Sequence, residues 1–318
     1  INIKLIYIYI YYLTTTSLSI IIINMTTSIS TPTPTKIQVF SDIHFELIHD
    51  KNDATNLALS LYKGEKYIIL AGDISSIMDS NFFDLLQFFS DNWEKVFYIP
   101  GNHEFYDINR KSHYHKTLQE YKTQIKQRFN NIYFLQDESA DLNDEYVVYG
   151  TTLFTNPDCL YGINDAQMIN YQETASTINH LTNTSYHKIK PINYSFMKTL
   201  ADESICKLSE FLDKTTKKVI LVTHFPPVQK GTSSPQYKNE HQYIKDYFAW
   251  KNIFTQYPTH FTPEKLKKIK MCISGHTHYS YDFIEPVTGI RCLSNQKGYQ
   301  NEHLDKQTFY PDGTFVLE

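Results

Sequence analysis

The chain has 318 residues, a formal net charge of −4 from 34 Asp and Glu against 30 Lys and Arg, and 41% hydrophobic residues. That length is ample for a buried core, and the slightly acidic balance excludes the basic excess that a duplex nucleic-acid partner requires. The 15% aromatic content, carried by 25 Tyr and 20 Phe, excludes a disordered chain.

Taken in order, residues 1–24 hold an apolar run from Leu5 to Leu13, preceded by Lys4. It is far shorter than the roughly 18–20 apolar residues of a spanning helix. No small-residue cleavage site follows between Thr26 and Thr35. The first Met is Met25, and translation is expected to start there. Residues 1–35 then form a disordered or non-native leader, rich in Thr and Ser with Pro32 and Pro34. The competing reading is a targeting or anchoring segment. A cytoplasmic protein with no stable membrane partner is expected.

From Lys36 a single domain, 36–318, is expected. Short β-rich apolar runs at 37–40, 67–70, 96–99, 219–222 and 271–273 read as buried strands. Helix-spaced apolar residues occupy 54–62, 82–90, 114–129 and 196–212. This alternation predicts a layered α/β fold. Runs at 281–285, 290–293 and 314–317 lack intervening helices and predict an antiparallel or mixed portion. The stretches 156–194 and 233–262 read as insertions over the rim. Cys159, Cys206, Cys272 and Cys292 form no CxxC pair and are expected to be buried free thiols. His113 and His115 are expected to be solvated, while His241 and His260 lie within reach of the rim.

Each of the five buried runs ends in potential metal ligands. These are Ser41-Asp42-Ile43-His44, Gly72-Asp73, Gly101-Asn102-His103-Glu104, Thr223-His224 and Gly275-His276-Thr277-His278. Singly, Asp-x-His or Gly-Asp is an ordinary turn. Jointly they predict one site, because loops at the carboxyl ends of strands converge over a shared crevice. Two carboxylates, one carboxamide and four imidazoles make a mixed oxygen and nitrogen donor set. It suits Mn, Fe, Zn, Ni or Co rather than calcium. Seven ligands are too many for one tetrahedral ion and fit two bridged ions.

The ordered set D-x-H, G-D, G-N-H-E, H and G-H-x-H resembles the signature of the calcineurin-like metallophosphoesterases, from residue 37 to about 300. GNHEFY at 101–106, GTTLFT at 150–155 and NQKGY at 295–299, followed by Glu302, resemble a branch of small phosphohydrolases. That branch tends to have NPRGY at the last position. The resemblance implies a four-layer α/β/β/α sandwich, two mixed β-sheets flanked by helices. It implies two divalent metal ions (Mn, Fe, Zn or Ni), one held by Asp42, His44 and His278 and the other by Asn102, His224 and His276, with Asp73 bridging. His103, beside the reacting phosphate, would protonate the leaving oxygen, and Asn102 and His103 would contact substrate. Glu104 is expected to support its loop.

The resemblance further implies hydrolysis of a phosphate ester by in-line attack of a metal-bound hydroxide. The chain has only Arg110, Arg128 and Arg291. Where protein Ser/Thr phosphatases carry clamping arginines, this chain has Ile74-Ser75-Ser76 and Pro100. A dianionic monoester gains more from such clamps than a diester does. A small phosphodiester or related phosphorylated compound is therefore the expected substrate. A phosphomonoesterase, including a protein phosphatase, is the alternative within enzymes. A non-catalytic interaction module is the alternative outside them, disfavoured because all seven ligands and His103 are present. Lys297, Gly298 and Tyr299 read equally as substrate-side or packing residues.

Overall fold

The structure, a computed structural model, describes residues 34–317 apart from 49, 108, 110, 159, 161–162, 165–167, 180–183, 300–301 and 303–308; for 51, 173–179 and 184–188 it describes the backbone alone. Residues 1–33 of the leader, Met25 among them, and Arg110 and Cys159 lie outside the described residues.

One sheet is built from β13 (Thr314–Val316), β1 (Lys36–Phe40), β2 (Tyr67–Ala71), β3 (Lys95–Ile99) and β4 (Ile132–Phe134), in that order. β1 to β4 run parallel and β13 antiparallel. The other sheet runs β11 (Tyr281–Ile284), β12 (Arg291–Ser294), β10 (Ile269–Ile273), β9 (Lys218–Thr223), β6 (Tyr146–Thr151), β5 (Glu138–Asp141). Its four inner strands are parallel and its edges antiparallel.

Residue parity explains the layering. In β2, Ile68 and Leu70 enter a cluster with Phe82, Leu86 and Phe89 of α2 (Phe82–Asn92) and Tyr121 and Ile125 of α3 (Tyr114–Arg128). The alternate residues Ile69 and Ala71 face Ile220 and Val222 of β9 between the sheets. β9 repeats the pattern outwards, where Val219 and Leu221 meet Ile205, Leu208 and Leu212 of α4 (Tyr194–Lys214). Strands buried on both faces must be continuously apolar, which is why they are legible as runs. Each such Leu, Ile or Phe contributes roughly 1.5–3 kcal/mol on burial. The result is helix, sheet, sheet, helix, as the resemblance implied.

The stretch 156–194 holds a separate antiparallel hairpin of β7 (Asn170–Asn179) and β8 (Thr184–Pro191), joined to the loop after β3 by a Tyr106–Ile169 bridge. Cys272 and Cys292 are buried free thiols, facing each other in register on β10 and β12. Cys206 departs from expectation: it is exposed, near His260. His115 is exposed as expected, but His113, at the start of α3, is half-buried.

Candidate metal centre

The parallel inner strands aim their carboxyl ends at one crevice. Asp42 and His44 follow β1, Asp73 follows β2, Asn102 and His103 follow β3, His224 follows β9, and His276 and His278 follow β10. Asp42, Asp73, Asn102 and His224 are at most 1% exposed, and His44, His276 and His278 are also buried. Five of these residues adopt left-handed backbone: Asp42 (φ 52°), His44 (53°), Asp73 (53°), His276 (74°) and His278 (52°). Such conformations cost about 1–3 kcal/mol each in non-glycine residues and persist only where the surroundings impose them. Here backbone bonds lock the loops together, from Asp42 N–H to Gly72 O (3.0 Å), His44 N–H to Asp73 O (3.1 Å) and Gly275 N–H to His224 O (3.0 Å). Asp42 Oδ1 also accepts the His276 N–H at 2.9 Å, tying the two sheets together. The loops leave no room at Gly101, where a Cβ would press into the Asp73 carboxylate. A Cβ on Gly275 would meet Asp42 Oδ2 at 2.6 Å.

Two donor groups form side by side. Asp42, His44 and His278 offer atoms all within 4.8 Å of one another, as do Asp73, His224 and His276. Asp73 also groups with His44 and His103, so it stands between the two sets. Asn102 joins the second, with its Oδ1 2.9 Å from His224 Nε2, while its Nδ2 donates to the Tyr106 hydroxyl at 2.6 Å.

The outer faces of the imidazoles show what the inner faces are for. His44 Nδ1 donates to Glu46 Oε1 (3.1 Å), His278 Nδ1 to Glu302 Oε2 (2.5 Å) and His224 Nδ1 to the Ala71 carbonyl (2.9 Å). A proton on Nδ1 leaves the neutral ring's Nε2 as a lone-pair acceptor, the arrangement that metal-ligating histidines take. His44 Nε2 lies 3.2 Å from His278 Nε2, while His224 Nε2, 2.9 Å from Asn102 Oδ1 and 3.3 Å from Asp73 Oδ2, bears a proton in the metal-free protein that a cation would displace. The His276 Nε2 is buried with no hydrogen-bond partner among the described residues. Its ring is fixed between Phe225 and Phe248. Nitrogens and oxygens that converge in this way fit cations, and the mixed set fits borderline divalent ions.

Charge tells the same story. Burial opposes an imidazolium at His224, but Asp73 beside it overrides this and carries His224 up to about 9. Burial likewise opposes charge at His103, where Asp73 and then Glu46 carry it up to about 9. His276, buried and next to His224, is held well below the usual imidazole range and stays neutral. From the protein's own groups, therefore, the Asp73 carboxylate draws protons onto its neighbours, and a divalent cation would take that role. Glu104 is a support, as expected. Its carboxylate accepts N–H bonds from Gly101 (2.8 Å), Asp73 (3.1 Å) and Ile74 (3.0 Å) and the Tyr98 O–H (2.8 Å).

A model of the calcineurin-like phosphoesterase family matches residues 35–280. The chain belongs to that family. Calcineurin-like phosphoesterases are dimetal-dependent hydrolases of phosphoric esters, so this chain is a metal-dependent phosphoesterase. It is 29% identical over 287 residues to the uncharacterized protein L509 of Acanthamoeba polyphaga mimivirus, covering 84% of this chain and 92% of that one. Among solved structures it resembles a phosphopantetheinyl hydrolase of Mycobacterium tuberculosis, with 14% identity, 89% and 96% coverage of the two chains and a TM-score of 0.59. A dimetal phosphatase from Danio rerio aligns at 12% identity, 82% and 87% coverage and a TM-score of 0.46. At 14% identity the likeness to the phosphopantetheinyl hydrolase shows the fold alone.

The centre of this phosphoesterase opens into a cavity of about 690 Å³. Asp73, Asn102, His103, His276 and His278 lie at its polar end, and Tyr237, Ile244 and Phe248 bring an apolar wall from the 233–262 insertion. Lys238, Lys245 and Lys251 of the same segment line the cavity too, with Lys230 just before the insertion. The insertion thus borders the site as expected, but His241 and His260 are not among the lining residues. Tyr299 lines the cavity, while Lys297 and Gly298 do not; their backbone N–H groups instead bond the Ser41 and Asp42 carbonyls. Sequence reasoning missed Glu46 and Tyr106. Glu46 sits four residues after Asp42, a spacing that would have signalled a carboxylate on the same loop.

Proposed function

We propose that this chain hydrolyses a small organic phosphodiester. Asp42, His44 and His278 would hold one divalent cation, Asn102, His224 and His276 a second, with Asp73 shared. The observation that carries the assignment is the convergence of Nε2 nitrogens, from rings whose Nδ1 protons are committed outwards, on Asp42 and Asp73. Two cations there would lower the pKa of a water from 15.7 to about 7 and neutralise the non-bridging phosphoryl oxygens. The chain's own residues do the rest. His103, with Nδ1 on Glu46 and Nε2 facing the cavity side, donates its Nε2 proton to the departing oxygen, a role worth typically 10²–10⁴-fold. Asn102, oriented by the bond from its Nδ2 to the Tyr106 hydroxyl, turns its carbonyl oxygen towards His224, where it would face the second cation.

The diester reading is supported by the arginines. Arg291 is paired with Asp282 and Arg128 lies over the Phe83 ring, and neither lines the cavity. No guanidinium among the described residues is available to clamp a dianion. The cavity exceeds the needs of a bare phosphate and falls in the size range of organic ligands. Its apolar wall suits an organic ester arm, and its lysines suit a further anionic group on that arm.

The test is hydrolysis of bis-p-nitrophenyl phosphate against p-nitrophenyl phosphate by chain stripped with chelator and reloaded with Mn²⁺, with Asp73→Ala as control. Turnover that requires metal and Asp73 and favours the diester supports the proposal. Preference for the monoester overturns the substrate class. No turnover of either, with Mn, Fe, Zn or Ni, overturns the assignment of these residues.

A further inference from the structure

We infer that Glu46 is the positioning residue for His103, holding the proton donor and the metal-facing His44 on one oxygen. The inference rests on the reading of His103 as the group that protonates the leaving oxygen. Glu46 Oε1 accepts from His103 Nδ1 at 3.0 Å and from His44 Nδ1 at 3.1 Å. Its other oxygen, Oε2, is buried with no hydrogen-bond partner among the described residues. A buried carboxylate with one bare oxygen is costly unless its charge is used, and among the described residues its hydrogen-bond partners are the imidazoles of His44 and His103. The rings of His44 and His103 meet edge to face, with centroids 4.4 Å apart, so a single carboxylate can serve both. On its other side the His103 ring lies against Tyr106, at 4.3 Å.

The arrangement fixes one tautomer. With Nδ1–H committed to Glu46, the proton available for transfer is on Nε2, which lies 3.0 Å from the Tyr299 hydroxyl and 3.9 Å from Asp73 Oδ2, facing the cavity. As the P–O bond breaks, the leaving oxygen takes that Nε2 proton together with the bond's electron pair. His103 is left as a neutral ring that keeps its Nδ1–H on Glu46, and solvent returns the Nε2 proton. The carboxylate thus comes from the loop after β1, while its imidazole comes from the loop after β3.

Glu46→Gln, which preserves volume, and Glu46→Asp, which preserves charge, test this in the full chain. Each is loaded to the wild-type metal content and assayed on aryl phosphodiesters of graded leaving-group pKa. The expected result for Glu46→Gln is a kcat loss at least tenfold greater for a phenyl than for a p-nitrophenyl leaving group, with KM near wild type. Partial recovery is expected in Glu46→Asp. An equal loss on both leaving groups would make Glu46 a mere support for His44 and overturn the inference. Independently of turnover, ¹⁵N-histidine NMR of the zinc-loaded protein, with His103 assigned through His103→Gln, reads the tautomer. A hydrogen-bonded Nδ1 proton that moves upfield in Glu46→Gln supports the inference, and a bare Nδ1 overturns it. Should no ester be hydrolysed, the functional reading fails while the tautomer still reports on Glu46.

Discussion

Glu104 offers a calculation that the structure makes unusually definite. It is 1% exposed, and each carboxylate oxygen serves two donors. Oε1 takes the Ile74 N–H and the Tyr98 O–H, and Oε2 takes the Gly101 and Asp73 N–H groups. Whichever way a glutamine turns, its NH₂ faces two of those donors. An unsatisfied buried donor costs about 1–3 kcal/mol, so Glu104→Gln should destabilise the protein by about 2–4 kcal/mol once adjustment is allowed. Glu104→Ala, which orphans the three N–H donors and leaves the Tyr98 hydroxyl only the Ser75 carbonyl, should cost about 3 kcal/mol or more by the same reasoning. Burial, with the Asp73 charge adding to it, pushes Glu104 up to about 7, so the comparison belongs at pH 8, where the carboxylate is ionised. At about 2–4 °C per kcal/mol, the Gln variant should lose roughly 4–16 °C in Tm. Differential scanning calorimetry with and without bound Mn²⁺ makes the measurement. A Glu104→Ala protein melting within about 2 °C of wild type would refute the reasoning, because the loops carrying Asp73 and Asn102 would then not depend on this carboxylate.

Other consequences follow from the same geometry. Gly101→Ala forces a methyl into the Asp73 carboxylate, so the variant should fold but bind Mn²⁺ at least tenfold more weakly, as read by calorimetric titration. Glu302→Gln removes the carboxylate that receives the His278 Nδ1 proton, and metal affinity should fall 10–100-fold while the urea midpoint changes little. In chelator, His103 and His224 stand at about 9, above the usual 6.5, so their stabilisation is complete below about pH 6.5 and is lost as pH rises through 9. Urea midpoints should decline across that span, and a rise would contradict the charge assignment. Lys238→Ala, at the rim, should raise KM for a diester bearing a second phosphate and leave kcat for bis-p-nitrophenyl phosphate within twofold.

The layered fold, and the gathering of the strand-end polar residues over one crevice, were readable in the sequence for a physical reason. Doubly buried strands such as β2 and β9 must be apolar throughout, and the residues that end them must be polar if they meet over one crevice. The β7–β8 hairpin was not readable, since its residues carry no apolar alternation to mark a strand. β6 was missed although Tyr146–Thr151 is buried along its whole length, because no helix-spaced stretch sets it off from β5. The left-handed backbone of Asp42, His44, Asp73, His276 and His278 was not read either: Asp and His take positive φ more often than other non-glycine residues, but most of them do not, so residue type alone picks out no position. Nor does composition reveal that Glu46 and Glu302 fix ring tautomers from behind the site, a relation that exists only once distant loops are packed. Cys206 shows the limit of a base rate: cysteine is usually buried, and this one lies on the exposed side of α4.

The central claim is that two cations sit astride Asp73. Anomalous diffraction from crystals of the Mn²⁺-loaded chain, paired with elemental analysis of the metal content, tests it most directly. The account predicts two manganese ions per chain, one against Asp42, His44 and His278 and the other against Asn102, His224 and His276, with Asp73 touching both. A single ion, or a pair that leaves Asp73 unbound, would contradict it.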